Sequence, residues 1–258
     1  VRLVQHHLAL PVLPPLILTL RSAIPIAGGL GSGAALAACL IRALLRHLGA
    51  AGDDATVCRL TWEVEKVYHG TPSGIDNTVV AYEQPVWFVQ ATPDNVIEPF
   101  EIGRNLTLLI GDTGVRSATR AVVDDVRHQW QADPDRFGAL FAECGTIAHA
   151  ARAALQAGDA ATLGRLMTHN HTVLQALTVS SPELDRLVQA ALAAGAIGAK
   201  LSGAGRGGNM LALLPHPESA ETVTRALLTA GAHTILTTTL TAEASTPTPI
   251  PTPHASLH

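Results

Sequence analysis

The sequence predicts an α+β chain in two parts, and three observations carry that expectation. An apolar run, a glycine-rich loop and an Ala/Leu-rich run follow one another near the start, the order of strand, loop and helix. Near Gly103 the composition shifts from mixed strand and loop to mostly helix. Hydrophobic residues make up 47% of the 258 residues and charged ones only 15%, which excludes wholesale disorder and leaves ample material for a core. Aromatics supply just 3%, so that core is built of Ala, Leu, Val and Ile. The expected domains are 1–103 and 104–242, followed by a Pro/Thr-rich disordered tail over 243–258.

Each element follows from its own signals. Residues 17–22 alternate as a strand, and Pro25 with Gly28, Gly29, Gly31 and Gly33 forms the loop after it. Residues 34–48 read as a helix stopped by Gly49. Asp53 and Asp54 cap a second helix running to about Tyr68. A turn spans 69–74, a strand or short helix begins at Ile75, and 85–89 reads as a strand. In the second part, 106–110 is a compact strand ending in Gly111-Asp112-Thr113-Gly114. Helices follow over 118–130, 137–155 and 161–177, and Pro182 opens another that ends near Gly195. Strands at 199–202 and 210–214 flank a second glycine-rich loop, with a helix over 218–230 and a strand over 234–240 behind them.

Composition also narrows the function. A net charge of −4 argues against a nucleic-acid footprint. Cys39, Cys58 and Cys144 show no C-x-x-C spacing, which argues against disulfides or zinc and fits a reducing cytoplasm. Cys39, in an apolar helical run, reads as a small core residue. The apolar stretches are broken by prolines and too short for a bilayer, so no membrane partner is expected. His6-His7 and His169-x-His171 read as surface or packing histidines, because H-x-H on a helix does not put both rings on one face. Asp124-Asp125 reads as a solvated helix face.

Chemistry concentrates in three motifs. Four glycines between positions 28 and 33, ahead of a helix, let backbone N–H groups approach a ligand at the positive helix end, which suits a polyphosphate. No Gly-Lys-Ser/Thr follows, so this is not a Walker A loop. Residues 29–34 also fit the relaxed dinucleotide pattern G-x-G-x-x-A, leaving a nicotinamide oxidoreductase open. The second motif sets Glu65 one turn from a helix end and Asp76 after a Thr-Pro-Ser-Gly turn. Two such carboxylates can share a magnesium site and a proton-accepting site, although each alone also reads as a helix charge or a turn former. The third is Gly203-Ala-Gly-Arg-Gly-Gly208, where Arg206 either reaches a phosphate or carboxylate or stays solvated. Lys66 and Lys200 are the sole lysines, and Lys200 begins a buried-looking strand.

Taken together, these motifs resemble the GHMP-superfamily small-molecule kinases, most closely mevalonate kinases of the archaeal or bacterial type. The resemblance rests on 24–35, 65–77, 112–119 and 200–208 and covers nearly the whole chain. It implies a two-domain fold, with a ribosomal protein S5 domain 2-like N-terminal part and a ferredoxin-like α/β C-terminal part with helices. It implies ATP-dependent phosphorylation of the 5-hydroxyl of mevalonate, with ATP and Mg2+ as cofactors. By the same resemblance Asp76 is the catalytic aspartate. Pro25, Gly28, Gly29, Leu30, Gly31, Ser32, Gly33 and Ala34 form the ATP-phosphate loop. Ser32 and Glu65 coordinate magnesium, and His69, Thr119 and Ala204 line the mevalonate pocket. Many members carry a second Ser where this chain has Gly33, which leaves the hydroxyl ligand open. Phosphomevalonate or mevalonate 3-kinase activity, a non-catalytic remnant and a homodimer also stay open. In the family, strands and a lysine motif precede the phosphate loop; with Val1 as its first residue, the chain reads as incomplete there, with an unpaired sheet edge expected.

Overall fold

The computed structural model describes residues 1–22, 30–69, 72–91, 95–242 and 250, with the side chains of Tyr68 and His69 outside that description. The chain divides into two units between Phe100 and Glu101. The Pro/Thr-rich tail, apart from Ile250, lies outside the described residues.

The first unit holds helices α1 (Arg2–His7), α2 (Ser32–His47), α3 (Asp54–His69) and α4 (Ile75–Tyr82). An antiparallel hairpin follows, β1 (Val86–Val89) on β2 (Val96–Pro99). Helix α2 buries Ala34, Ala38, Ile41 and Leu45, spaced at three and four residues as one helical face requires. That face forms a core with Val4, Val57, Leu60 and Ala81. The helix stops where Gly49 takes φ +70°, a conformation that suits a residue without a Cβ. Helix α3 starts under a side-chain cap: Asp53 Oδ1 accepts the Thr56 N–H at 2.8 Å. The same Thr56 contacts hold the Asp53 carboxyl below its usual range.

Two expectations change here. Residues 17–22 form no strand, and Ile17 is 98% exposed. A strand needs a neighbour to take its backbone groups, and among the described residues none pairs with it. Cys39 is exposed, not core. It sits one residue past Ala38, about 100° around the helix from the buried face.

The second unit is a four-stranded antiparallel sheet with helices. Its strands are β3 (Leu106–Asp112), β4 (Gly198–Ser202), β5 (Asn209–Leu213) and β6 (Thr234–Leu240), in the order β4-β5-β3-β6. Between β3 and β4 run α5 (Thr119–Ala132), α6 (Pro134–Ala157), α7 (Ala160–Ala176) and α8 (Pro182–Ala193). Asp133, Asp159 and Ser181 cap the last three through side-chain oxygens, and Pro134 and Pro182 occupy first-turn positions. After β5, a 3-10 turn at Pro217–Ser219 delays the start of α9 (Ala220–Thr229) beyond the expected Glu218. Leu184, Leu187 and Val188 of α8 and Val223 and Leu227 of α9 bury against Leu109, Ala199, Leu201, Met210 and Ala212 of the sheet.

Strand β4 lies at the sheet edge, and α7 covers it. Gly164 and Gly198 allow this: a Cβ on either would run into the other element's backbone. The edge N–H groups then find side chains on α7. Ala199 N donates to Thr168 Oγ1 at 3.4 Å and Leu201 N to His171 Nδ1 at 3.3 Å. His171 Nε2 faces Asp185 Oδ1 at 3.1 Å, and Ser180 Oγ donates to the same oxygen. The His169 ring instead meets Glu143 at 2.7 Å on the outside, so the H-x-H pair diverges.

Gly198→Ala should therefore lower stability by about 1–3 kcal/mol, the cost of overpacking a tight contact. Gly145→Ala, in open space on α6, should raise it by about 0.4–1 kcal/mol. Denaturant unfolding of the two variants checks both signs. His171 gives a pH prediction. Its Nδ1 accepts a hydrogen bond only in the neutral ring, and burial pushes its pKa down against the opposing pull of Asp185. The folded value thus lies below the unfolded value of about 6.5. The stabilisation is present above about pH 6.5 and is lost as the pH falls towards the folded value. Thermal unfolding against pH should show this decline, and His171→Gln, which keeps an acceptor and a donor, should flatten it.

Candidate functional site

The first glycine loop is described from Leu30 onward; Pro25, Gly28 and Gly29 lie outside the described residues. Gly31 is the N-cap of α2, in the left-handed conformation at φ +65° and with no side-chain cap. Its carbonyl accepts the Ala35 N–H at 2.9 Å. The N–H groups of Ser32, Gly33 and Ala34 therefore stand at an open helix N-terminus, which favours an anion. The Ala34 side chain is 1% exposed and packs in the core, so only its backbone can serve a ligand. Ser32 borders a cleft of about 450 Å3, with Arg21, Ser22, Leu36 and Cys39 also on its walls.

Two carboxylates meet this turn. Glu65, on the last turns of α3, is 5% exposed. A Cβ added at Gly33 would stand 3.6 Å from Glu65 Oε1. Asp76, exposed in the first turn of α4, puts Oδ1 3.9 Å from where a Cβ on Gly31 would sit. The structure thus brings Glu65 to Gly33 and Asp76 to Gly31, from two different helices. Ser32 and Glu65 offer hard oxygen donors, which suit Mg2+. That ion needs only one or two protein carboxylates when phosphates and water complete its shell. Among the described residues no three His, Cys, Asp or Glu gather as a metal cluster.

Polar contacts that the motif reading passed over hold α4 in place. Asn77 is buried and its Nδ2 donates to Cys58 O at 3.4 Å and to Cys58 Sγ at 3.2 Å. Thr78 Oγ1 donates to Gly74 O at 2.6 Å, with Cys58 Sγ 3.7 Å away. Burial pushes the Cys58 thiol up, keeping it protonated. The available signal was two polar residues directly after Asp76 in an otherwise apolar helix. Lys66 is tied along α3, with Nζ 2.8 Å from Glu63 Oε1 and 3.5 Å above the Trp62 ring. The His69 side chain lies outside the described residues.

In the second unit the other glycine loop is held open by its backbone. Gly203, Gly205, Arg206, Gly207 and Gly208 all have positive φ. A Cβ on Gly205 would collide with Val179 O, and one on Gly207 would lie 2.7 Å from Val115 O. Arg206 N donates to Val179 O and Gly208 N to Val115 O, both at 2.8 Å. Thr113 N and Oγ1 both donate to Gly208 O at 2.9 Å, and Ser117 Oγ donates to Gly205 O at 3.1 Å. Ala204 sits half-buried within this loop, and exposed Thr119 begins α5 just beyond Ser117.

Two charge assignments are corrected here. Arg206 is neither free nor aimed at a ligand: it pairs with Asp125 and donates from Nε to Thr178 O at 3.1 Å. Asp125 is accordingly not a bare solvated charge, and the Arg206 hydrogen bond lowers its pKa. Asp112 is buried, and Arg116 grips both its oxygens at 2.8 Å. That bond, with the Gly114 N–H, holds the Asp112 carboxyl below its usual range. Lys200 is half-buried, and burial pushes its amine down. No described helix is long and apolar enough to cross a membrane.

Comparison with known proteins agrees with this layout. Residues 1–84 match the GHMP kinases N terminal domain and residues 151–233 the GHMP kinases C terminal domain. A mevalonate kinase of Thermococcus onnurineus is 35% identical over 224 residues, covering 85% of this chain and 65% of that protein. One from Pyrococcus horikoshii is 36% identical over 202 residues, covering 76% and 59%. The chain thus spans about three-fifths of the length of these curated relatives. Among solved structures, L. major mevalonate kinase in complex with R-mevalonate superposes with a TM-score of 0.83 at 31% identity, over 95% of this chain and 76% of that one. Methanococcus jannaschii mevalonate kinase gives a TM-score of 0.71 at 25% identity, over 86% and 67%. On these matches, with the two domains in the order the motifs require, the chain belongs to the GHMP kinase family.

Proposed function

We propose that this chain carries the machinery of a mevalonate kinase, transferring the γ-phosphoryl group of ATP to the 5-hydroxyl of mevalonate. The observation that supports this best is the meeting of Glu65 and Asp76 at the Gly31–Gly33 turn. Phosphoryl transfer runs through a loose transition state, so positioning and charge stabilisation do most of the work. The backbone amides at the start of α2, with Leu30 and the loop residues Pro25, Gly28 and Gly29, hold the phosphates. Ser32 and Glu65 hold Mg2+, which when bound offsets charge on the phosphate oxygens. Asp76 orients the substrate hydroxyl and accepts its proton as the new P–O bond forms. His69, Thr119 and Ala204 keep the substrate-binding roles that the resemblance implies for them. A cytoplasmic setting, consistent with unpaired cysteines, belongs to the same proposal.

The oxidoreductase reading loses its support: a dinucleotide loop calls for an acidic residue at the end of a following strand, and Asp53 and Asp54, at about that distance, stand at the start of helix α3 as their capping pattern predicts. ADP release with racemic mevalonate, against a panel holding phosphomevalonate, galactose and homoserine, tests the assignment. Mevalonate-dependent release is expected; a preference for another member of the panel would move the substrate. Asp76→Asn should lower kcat by about 100-fold or more while ATP binding survives. Near-native turnover in that variant removes Asp76 from the chemistry. Glu65→Gln should raise the Mg2+ concentration needed for half-maximal rate, and an unchanged requirement removes Glu65 as a ligand.

A further inference from the structure

Among the described residues, the buried side-chain oxygen that no hydrogen bond reaches is Thr61 Oγ1, on a residue 0% exposed. Such a hydroxyl carries an uncompensated desolvation penalty. A helical threonine can relieve it by bonding to the carbonyl one turn back, as Thr78 does to Gly74 at 2.6 Å. Thr61 makes no such bond, so its hydroxyl calls for another occupant.

Its position says which. Thr61 and Glu65 are four residues apart on α3, and so share a face. Arg42 meets Asp54 at 3.1 Å near one end of the α2–α3 pair, and Gly33 faces Glu65 near the other. The helices therefore run antiparallel, and Thr61 lies one turn back from Glu65, between the two contacts. A buried water needs polar partners. Thr61 Oγ1 supplies one, and the Glu65 carboxylate, with about four lone-pair sites, has capacity for another beyond the contact it already makes.

We propose that Thr61 is a positioning residue: its hydroxyl holds a buried water that braces the Glu65 carboxylate in the orientation a divalent cation needs. The inference rests on Glu65 being a cation ligand. Supporting groups behind a metal-bound side chain typically alter affinity by 10- to 100-fold, and a water-mediated brace belongs at the lower end.

Mn2+ binding to the 258-residue chain in the presence of ATP, read by electron paramagnetic resonance, tests the proposal alongside thermal unfolding. Thr61→Val keeps the shape and removes the hydroxyl; Thr61→Ser restores it. The expected result is Mn2+ affinity about tenfold weaker in Thr61→Val and close to native in Thr61→Ser. If Thr61→Val leaves Mn2+ affinity unchanged and raises the unfolding temperature, the hydroxyl is a dry orphan and the proposal is overturned. If Glu65→Gln also leaves Mn2+ affinity unchanged, or the native chain binds none, the reading of Glu65 itself falls and takes this one with it. Loss in Glu65→Gln without loss in Thr61→Val overturns the Thr61 inference alone.

Discussion

What the first unit offers a ligand depends on one turn of backbone, the left-handed Gly31 that begins α2. The turn leaves the first amides of the helix free of intrahelical partners and lets the Asp76 carboxylate come within 3.9 Å of the Cβ position Gly31 lacks. Any other L-residue there pays roughly 1–2 kcal/mol for the left-handed conformation and presents a side chain to Asp76. The two carboxylates reach the turn because α3 and α4 are fixed around it. Arg42 ties α2 to Asp54 and, at 2.5 Å, to the carbonyl of Ala81 near the end of α4. Asn77 and Thr78 fasten the start of α4 to Cys58 of α3. The site is thus a consequence of packing among three helices, with the polar contacts setting register.

The second unit solves a similar problem with different parts. Its glycine loop holds five residues at positive φ, a backbone that would be costly to order if a ligand were to bind there. Here the order is supplied in advance by Val179, Val115, Thr113 and Ser117, and Arg206 is anchored by Asp125. A loop already held in shape loses little conformational freedom when a ligand arrives. The Asp112–Arg116 pair steadies the segment supplying two of those contacts. On the β4 edge of the same sheet, α7 lends Thr168 and His171 to that strand. Its exposed amides are therefore closed to a foreign strand.

Much of this was legible in the sequence, and the failures have physical causes. Helical periodicity and caps gave α2, α3 and the helices of the second unit nearly residue by residue, because those signals are local. The 17–22 strand failed because β structure is a property of pairs, and an apolar alternation says nothing about whether a partner is beside it. Cys39 failed because an Ala/Leu-rich run blurs the buried face, so one residue of offset is invisible. Glu65 and Asp76 could be picked out by motif, yet their approach to Gly33 and Gly31 depends on the antiparallel turn-back of α3 and the start of α4. The Arg206–Asp125 pair was hidden for the same reason, its members being far apart in sequence and each plausible as a solvated charge.

The two glycines of the turn are not equivalent, and the difference bears on how the proposed metal site is built. Gly31 is demanded by its dihedral angle, whereas Gly33 is not among the glycines with positive φ. A Cβ at Gly33 would make only an ordinary contact, at 3.6 Å, with Glu65 Oε1. Sterics therefore permit a serine at that position, as in the family members it resembles, and its hydroxyl would stand beside the Glu65 carboxylate. With glycine there, the hydroxyl at this turn comes from Ser32 alone, and the space beside Glu65 is left to water or to a ligand oxygen. The chain thus relies more heavily on whatever orients Glu65 from behind. On this face of α3, the buried residue one turn back from Glu65 is Thr61.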